Sequence, residues 1–480
     1  MEEIGRNKQI KLLKHYIGKY LRAFSDSDDA VPVSDISGIT LENFKCFKNK
    51  IEVQLKPLTV LCGANSAGKS SLIQPLLLMK QTLNCAYDPG ALLLRGPNII
   101  VNDFDELCWK AKGEKSDYFN IGFKLTNGVE YMQTYSKQGR SISIPKVAVI
   151  NKNGNELILP SDTPISDDQI KILLGTIPGK FRSSFDYYSR IAEQLDLDGP
   201  QLQASVSAKL SRRRCFSSLR LMNNKFTVGN VRLLDQFERQ IKSIMHLPGH
   251  RGNPSREYDR GEIASTDFMG YFHKYYASFI LEWTKHNKNK SVSNKMEKLR
   301  HQLRVLGIGW KVDARDIDSS RIEIRISRLF KPEASGAHDL VNIADVGFGV
   351  GQVLPVLVAM LAMTKGQILY VEQPEIHLHP KAQYELGRIL SNAVDEGKIL
   401  IVETHSDHIL LGMQQEIASK NVDPTNISLN WFTKSEDGIA SVTNGILDTK
   451  GRWRDWPEDF AANRMANQKL LLKSSLGIEK

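Results

Sequence analysis

One short run constrains this chain more than any other: Gly63-Ala-Asn65-Ser66-Ala67-Gly68-Lys69-Ser70, set between the apolar segment Leu58-Thr-Val-Leu-Cys and a helical pattern over Lys69 to Leu83. It satisfies GxxxxGK[ST] at every position, and the strand before and helix after make the match specific. Backbone N–H groups of such a loop and of the helix N-terminus cradle phosphates. Gly63, Asn65, Ser66, Ala67, Gly68 and Ser71 line that cradle, Lys69 reaches the β- and γ-phosphates, and the Ser70 hydroxyl ligates Mg²⁺. ATP and Mg²⁺ are therefore the expected ligands. Pro75 interrupts the following helix early, where a proline is costly unless it lies near the first turn.

A second half of the same chemistry lies some three hundred residues on. Gln367-Ile-Leu-Tyr-Val-Glu372-Gln373-Pro374-Glu375 reads as a buried strand that delivers the Glu372 carboxylate toward the metal. Ile399-Leu-Ile-Val-Glu-Thr404-His405-Ser406 reads as another, with a histidine at its tip. Helix, strand, helix, strand fill Val350 to Met413, as in a parallel α/β layer. Together with the loop, Glu-Gln-Pro-Glu-Ile-His-Leu-His-Pro and Glu-Thr-His-Ser resemble the ATPases grouped with RecF, OLD and SMC proteins. In pattern they are closest to the ABC-like ATPases of bacterial anti-phage systems such as Septu and PARIS. The resemblance covers about Ile36–Asn127 and Asp345–Phe460.

That resemblance implies an ABC-type P-loop ATPase head, α/β in class, with split nucleotide motifs and a mostly helical insertion. It implies that Ser70 and Glu372 hold the metal and that His405 senses the γ-phosphate. Asp345-Val-Gly-Phe-Gly-Val-Gly-Gln352 is similar to the signature segment that reaches across an ATP-sandwich homodimer, so Gly349, Gly351 and Gln352 would contact the partner's nucleotide. The serine of that signature is absent, and Gly349 stands in its place. Enzymes of this type place a glutamate directly after the metal carboxylate, whereas this chain has Gln373, which can orient water but cannot take its proton. Either Glu375 serves as the base or hydrolysis is slow and the ATP-bound dimer persists; Glu375 also fits a structural carboxylate.

Composition bounds the remaining choices. Of 480 residues, 41% are apolar and 25% charged, ordinary for a globular chain with a real core. The longest apolar stretch, Val353 to Met363, is too short to span a bilayer, so no membrane role is expected. The N-terminus lacks a secretory pattern, and five scattered cysteines without a CxxC pair fit a cytoplasmic protein without a disulfide framework or zinc site. No repeat or long heptad run suggests a long-coiled-coil protein.

The net charge of +10 is uneven. Residues 199–234 hold no Asp or Glu but seven cations, among them Arg212, Arg213 and Arg214, and a second basic run covers 285–304. Such runs attract phosphate backbones, and they equally suit a solvated helix face or an acidic protein partner.

The expected organisation is a helical extension and linker over 1–35, an ATPase lobe over 36–160, a mostly helical basic insertion over 161–310, and a second ATPase lobe over 311–480. Asp167 to Ile244 is read as mostly helical, carrying the first basic run. Three further segments stay open. The turn-rich His246–Arg256 could sense phosphate, clamp a partner, or pack beneath the lobe. Asp313, Asp316 and Asp318 could hold a metal, and Trp453–Phe460 could dock a partner or pack on the core. After His405 no acidic metal-binding or HNH-like pattern follows, so an appended nuclease is not expected. The favoured function is an ATP-dependent sensor or scaffold that controls a separate nuclease or toxin effector. The alternatives are a RecF-like clamp on DNA and a transporter's nucleotide-binding subunit.

Overall fold

The computed structural model describes residues 36–111, 113–151, 153–161, 163–166, 169, 206–223, 226–232, 235–263, 268–286, 289–329, 339–394 and 398–453. The helix expected near the N-terminus, residues 170–205 and the segment from Arg454 to Phe460 lie outside them. Strands with a near-continuous apolar run must be covered on both faces. Leu58–Gly63, Ile368–Glu372 and Ile399–Glu403 are of this kind. They sit together in a six-stranded sheet ordered Met245–Leu247, Ile368–Glu372, Ile399–Glu403, Leu58–Gly63, Ile427–Lys434, Ala440–Gly445. The first five strands run parallel and the last antiparallel.

Alternate side chains of these strands enter two different cores, as a period of two requires. Leu61, Ile368, Tyr370, Ile399 and Ile401 join the first, while Val60, Leu369, Val371, Leu400 and Val402 join the second. The first core is shared with helix Lys69–Leu83 and a six-stranded antiparallel sheet ordered Ile51–Gln54, Ile36–Glu42, Tyr118–Leu125, Glu130–Gln138, Ser141–Ile150, Glu156–Pro160. Helices Tyr276–Lys285, Lys290–Leu306, Phe348–Ala362, Pro380–Asn392 and Asp407–Ala418 contribute to the second. The C-terminal ends of the parallel strands thus bring Gly63, Glu372 and Glu403 to one edge, where open α/β sheets bind ligands. Among the described residues no helix is long and apolar enough to cross a membrane.

Helix Lys69–Leu83 continues past Pro75. Leu72, Ile73, Leu76, Leu77 and Leu78 are all buried, so packing on nearly every side offsets the lost backbone bond.

The mostly helical reading of Asp167 to Ile244 does not hold over residues 206–232. Val206–Arg213, Phe216–Asn223 and Phe226–Arg232 form a three-stranded antiparallel sheet, and helix Asp235–Lys242 follows it. The first hairpin pairs Arg213 with Phe216, so Arg214 and Cys215 make its turn. Such turns call for a left-handed residue, normally Asn or Gly. Here Arg214 adopts a φ of 52°, which leaves no turn signal in the sequence.

The same turn shows where part of the basic run is used. Arg214 Nη1 donates to the carbonyl oxygens of Thr82 and Leu83, the last turn of the P-loop helix, where unpaired carbonyls and the helix dipole favour a cation. Arg212 pairs with Asp88 at 2.9 Å. Lys209, Arg213 and Arg220 are exposed. Arg214→Ala should therefore lower stability by roughly 1.5–3 kcal/mol in urea unfolding, the scale of a lost hydrogen bond to a charged group. Arg213→Ala should stay within about 0.5 kcal/mol of the parent, as exposed substitutions do. Equal effects of the two would remove the capping role.

In the second basic run, helix Lys290–Leu306 buries Met296, Leu299, Leu303 and Leu306 and leaves Lys298 and Arg304 exposed, the pattern of an amphipathic helix with a solvated face.

Candidate nucleotide and metal site

The phosphate loop has backbone geometry that its residues dictate. Gly63 and Gly68 lie at φ 133° and 106°, and Ser66 at 59°. A Cβ on Gly63 would come within 2.1 Å of the Phe432 carbonyl oxygen, and one on Gly68 within 2.6 Å of Cys46 Sγ. Both glycines are thus required by conformation and by space. Ala64, Asn65 and Ser66 are exposed at the loop's crest, and Ala67 is buried beneath it. Ser71 follows on the first turn of the helix. Lys69 is 4% exposed, and its ammonium donates to the carbonyls of Gly63 at 3.1 Å and Ala64 at 2.8 Å. Burial lowers its pKa, against the opposing pull of Glu403.

Two carboxylates stand side by side at the strand ends, because Glu372 and Glu403 are register partners on neighbouring parallel strands. Their surroundings differ. Glu372 Oε1 lies 2.9 Å from His246 Nε2, and Oε2 accepts the Gly249 N–H at 3.0 Å. The Arg251 guanidinium, buried at 6% exposure, donates to the main-chain carbonyls of Glu372 and Gln373. Asn98 Nδ2 donates to Gly270 O and faces His246 Nδ1 at 3.2 Å, which assigns the imidazole proton to Nε2 and makes it a donor to Glu372. Burial holds His246 below its ordinary pKa, against the opposing pull of Glu372.

Glu403 instead faces the phosphate loop. Ser70 Oγ lies 3.0 and 2.9 Å from its two carboxylate oxygens, and Tyr370 OH donates to Oε2 at 2.8 Å. Burial raises the Glu403 pKa. Sequence reasoning assigned no role to Glu403 and left His246 within a turn-rich segment whose use stayed open. For His246 the available signal was a short strand before Pro248-Gly249, and the structure puts the whole His246–Arg251 segment directly against the Glu372 strand end.

Beyond Glu372 the chain turns sharply. Gln373 is held at φ 43° by its N–H to Glu403 O at 2.7 Å, and His377 lies at φ 63°. Gly249, His250, Tyr271, Glu372, Gln373 and His377 help line an open cleft of about 540 Å³. Glu375 does not share it. It is buried at 9% exposure, its pKa is raised by burial, and Oε1 accepts the His405 N–H at 2.8 Å. His405 itself is exposed, its pKa lowered by partial burial and by the charge of Lys69.

The signature-like segment opens helix Phe348–Ala362, with Gly347 at its N-cap. Gly347 and Phe348 are exposed. A Cβ on Gly349 would meet His377 O at 2.7 Å, and one on Gly351 would meet Pro254 Cγ at 2.2 Å, so both glycines permit close packing within this chain. Gln352 is 3% exposed and donates to Gly252 O at 2.6 Å.

The acidic cluster after Asp313 is committed elsewhere. Asp316 pairs with Lys285 and Arg260, and Asp318 with Arg321. Among the described residues no three His, Cys, Asp or Glu side chains converge as a metal site. That does not conflict with Mg²⁺ at the phosphate loop, since Mg²⁺ takes one or two protein carboxylates together with phosphate oxygens and water. The hard oxygen donors of Ser70, Glu403 and Glu372 beside the glycine-rich loop fit such an ion.

The sequence matches the model of the family described as AAA ATPase domain over residues 35–153 and 170–410. Solved structures similar to this chain include the Smc head domain with a coiled coil and joint from Pyrococcus yayanosii, at TM-score 0.41 and 11% identity, covering 91% of this chain and 99% of that one. The Smc head domain with an extended coiled coil bound to the C-terminal domain of ScpA, from Pyrococcus furiosus, aligns at TM-score 0.39 and 12% identity, with 91% and 99% covered. The SMC head domain from Thermotoga maritima aligns at 0.36 and 10%, with 85% and 98% covered. No match emerges among curated proteins.

Proposed function

This chain belongs to the AAA ATPase domain family, and from that premise we propose that it is a slowly hydrolysing ATP switch that holds a separate effector. The observation that carries this reading is the turn after Glu372. Gln373 occupies the position facing the cleft, and the nearest following carboxylate, Glu375, is buried and bonded to the His405 N–H. A glutamine positions water without accepting its proton, so the ATP-bound state outlasts binding. When bound, Mg²⁺ neutralises charge on the transferring phosphate. Lys69 and the loop N–H groups would hold the phosphates, Ser70 would take the metal, and Glu375 fixes the main-chain N–H of His405.

In this reading two copies sandwich ATP, with the exposed Gly347–Phe348 helix start of one copy facing the nucleotide of the other. The resemblance to anti-phage ATPases supports an effector that is a nuclease or toxin of a defence complex. Light scattering with ATP and Mg²⁺ should show the mass of a dimer, and with ADP or no nucleotide that of a monomer. A mass indifferent to nucleotide would overturn the switch.

The exposed Lys209, Arg213 and Arg220 favour a second reading, a RecF-like clamp on DNA. Reversing these three to Glu, which leaves the Arg214 cap intact, should then weaken DNA binding and flatten its salt dependence. Unchanged binding across a salt series assigns these cations to another partner.

A further inference from the structure

We propose that Glu403, which precedes His405 and lies outside the phosphate loop and the Glu372 segment, is the carboxylate that aims Ser70 at Mg²⁺, and that Glu372 is not. The argument starts from the hydroxyl. Ser70 Oγ carries one proton and two lone pairs, so whichever group takes the proton decides where the lone pairs point. Both Glu403 oxygens lie within hydrogen-bond distance of Ser70 Oγ, at 3.0 and 2.9 Å. With the proton turned to Glu403, the lone pairs of Ser70 are left free for a metal ion, which would be held at the phosphate loop.

Glu403 is itself fixed. It is 6% exposed, its strand is hydrogen-bonded on both sides, and Tyr370 OH donates to Oε2 at 2.8 Å. Its negative charge would add to the attraction for a divalent cation held by Ser70. Glu372, in the position from which a metal carboxylate is expected, has both oxygens engaged elsewhere, one beside His246 and one on the Gly249 N–H. The strand order explains the exchange of roles. Ile399–Glu403 lies between Leu58–Gly63 and Ile368–Glu372, so its terminal carboxylate is the nearer of the two to the phosphate loop. Glu403 is thus a positioning residue that acts through Ser70.

This inference rests on the ATP–Mg²⁺ reading, and the experiment separates the two. Binding of ATP is measured by calorimetry with Mg²⁺ and with chelator, and Mn²⁺ bound with ADP is followed by electron paramagnetic resonance. The wild-type chain should gain affinity with Mg²⁺; no gain would sink the ATP–Mg²⁺ reading itself. Glu403→Gln should lose roughly 10- to 100-fold of that metal-dependent gain, the scale seen when a ligand's hydrogen-bond partner is removed. Its metal-free ATP affinity should stay close to the parent's, and its Mn²⁺ spectrum should change. Glu372→Gln should lose less.

A double-mutant cycle distinguishes positioning from general damage. If Glu403 acts through Ser70, Ser70→Ala and the Ser70→Ala/Glu403→Gln double variant lose the same amount. Additive losses overturn the inference, as does a Glu403→Gln chain with the parent's metal dependence. Should Glu403→Gln fold poorly, Tyr370→Phe removes one donor to Glu403 without altering charge. It should shift the Mn²⁺ spectrum in the same direction, and an unshifted spectrum counts against the proposal.

Discussion

Lys69→Ala is expected to abolish measurable ATP binding and, with it, nucleotide-dependent assembly. The side chain serves twice. In the structure its buried ammonium bonds the Gly63 and Ala64 carbonyls and so ties the loop to the helix start. With nucleotide present the same cation neutralises the β- and γ-phosphates. Hydrogen bonds involving a charged group contribute about 1.5–3 kcal/mol each, and about 1.4 kcal/mol is tenfold in Kd. Loss of two such contacts should weaken binding by roughly 10²- to 10⁴-fold. Calorimetric titration with ATP checks this directly. An affinity equal to the parent's, in a variant whose unfolding midpoint is unchanged, would remove the P-loop assignment.

Gln373→Glu is expected to raise steady-state ATP turnover and shorten the ATP-bound state. General-base catalysis is worth roughly 10²–10⁴ in rate, and the turn at φ 43° already places this side chain in the cleft beside Glu372 and Gly249. The variant dimer should fall apart sooner after ATP is added, releasing any partner that depends on it. Glu375→Gln asks a different question. Its carboxylate holds the His405 N–H, so its loss should loosen His405 and reduce whatever residual turnover exists, without the gain that Gln373→Glu brings. Fast hydrolysis by the parent chain, or a Gln373→Glu variant with unchanged turnover and assembly, would count against the switch.

Much of this arrangement can be read along the chain because its causes are local. A left-handed loop needs glycine at Gly63 and Gly68, and a strand covered on both faces needs an unbroken apolar run such as Ile368 to Val371. The helix from Lys69 to Leu83 begins and ends where its pattern says it should. These features depend on neighbours within a few residues, and so does the absence of an acid at Gln373.

What only the tertiary structure decided depends on residues distant in sequence. The Arg214 turn lacks the Asn or Gly that announces a hairpin, and its role as a cap on the P-loop helix joins residues 132 positions apart. His246 meets Glu372 only because Met245–Leu247 extends the parallel sheet at its edge. Most consequential is the choice between Glu372 and Glu403. Both end apolar strands, and sequence motifs single out the first. In a parallel sheet the neighbours are set by the order of crossovers and not by order along the chain. Here that order inserts Ile399–Glu403 beside the P-loop strand, and places against Ser70 a carboxylate 333 residues away.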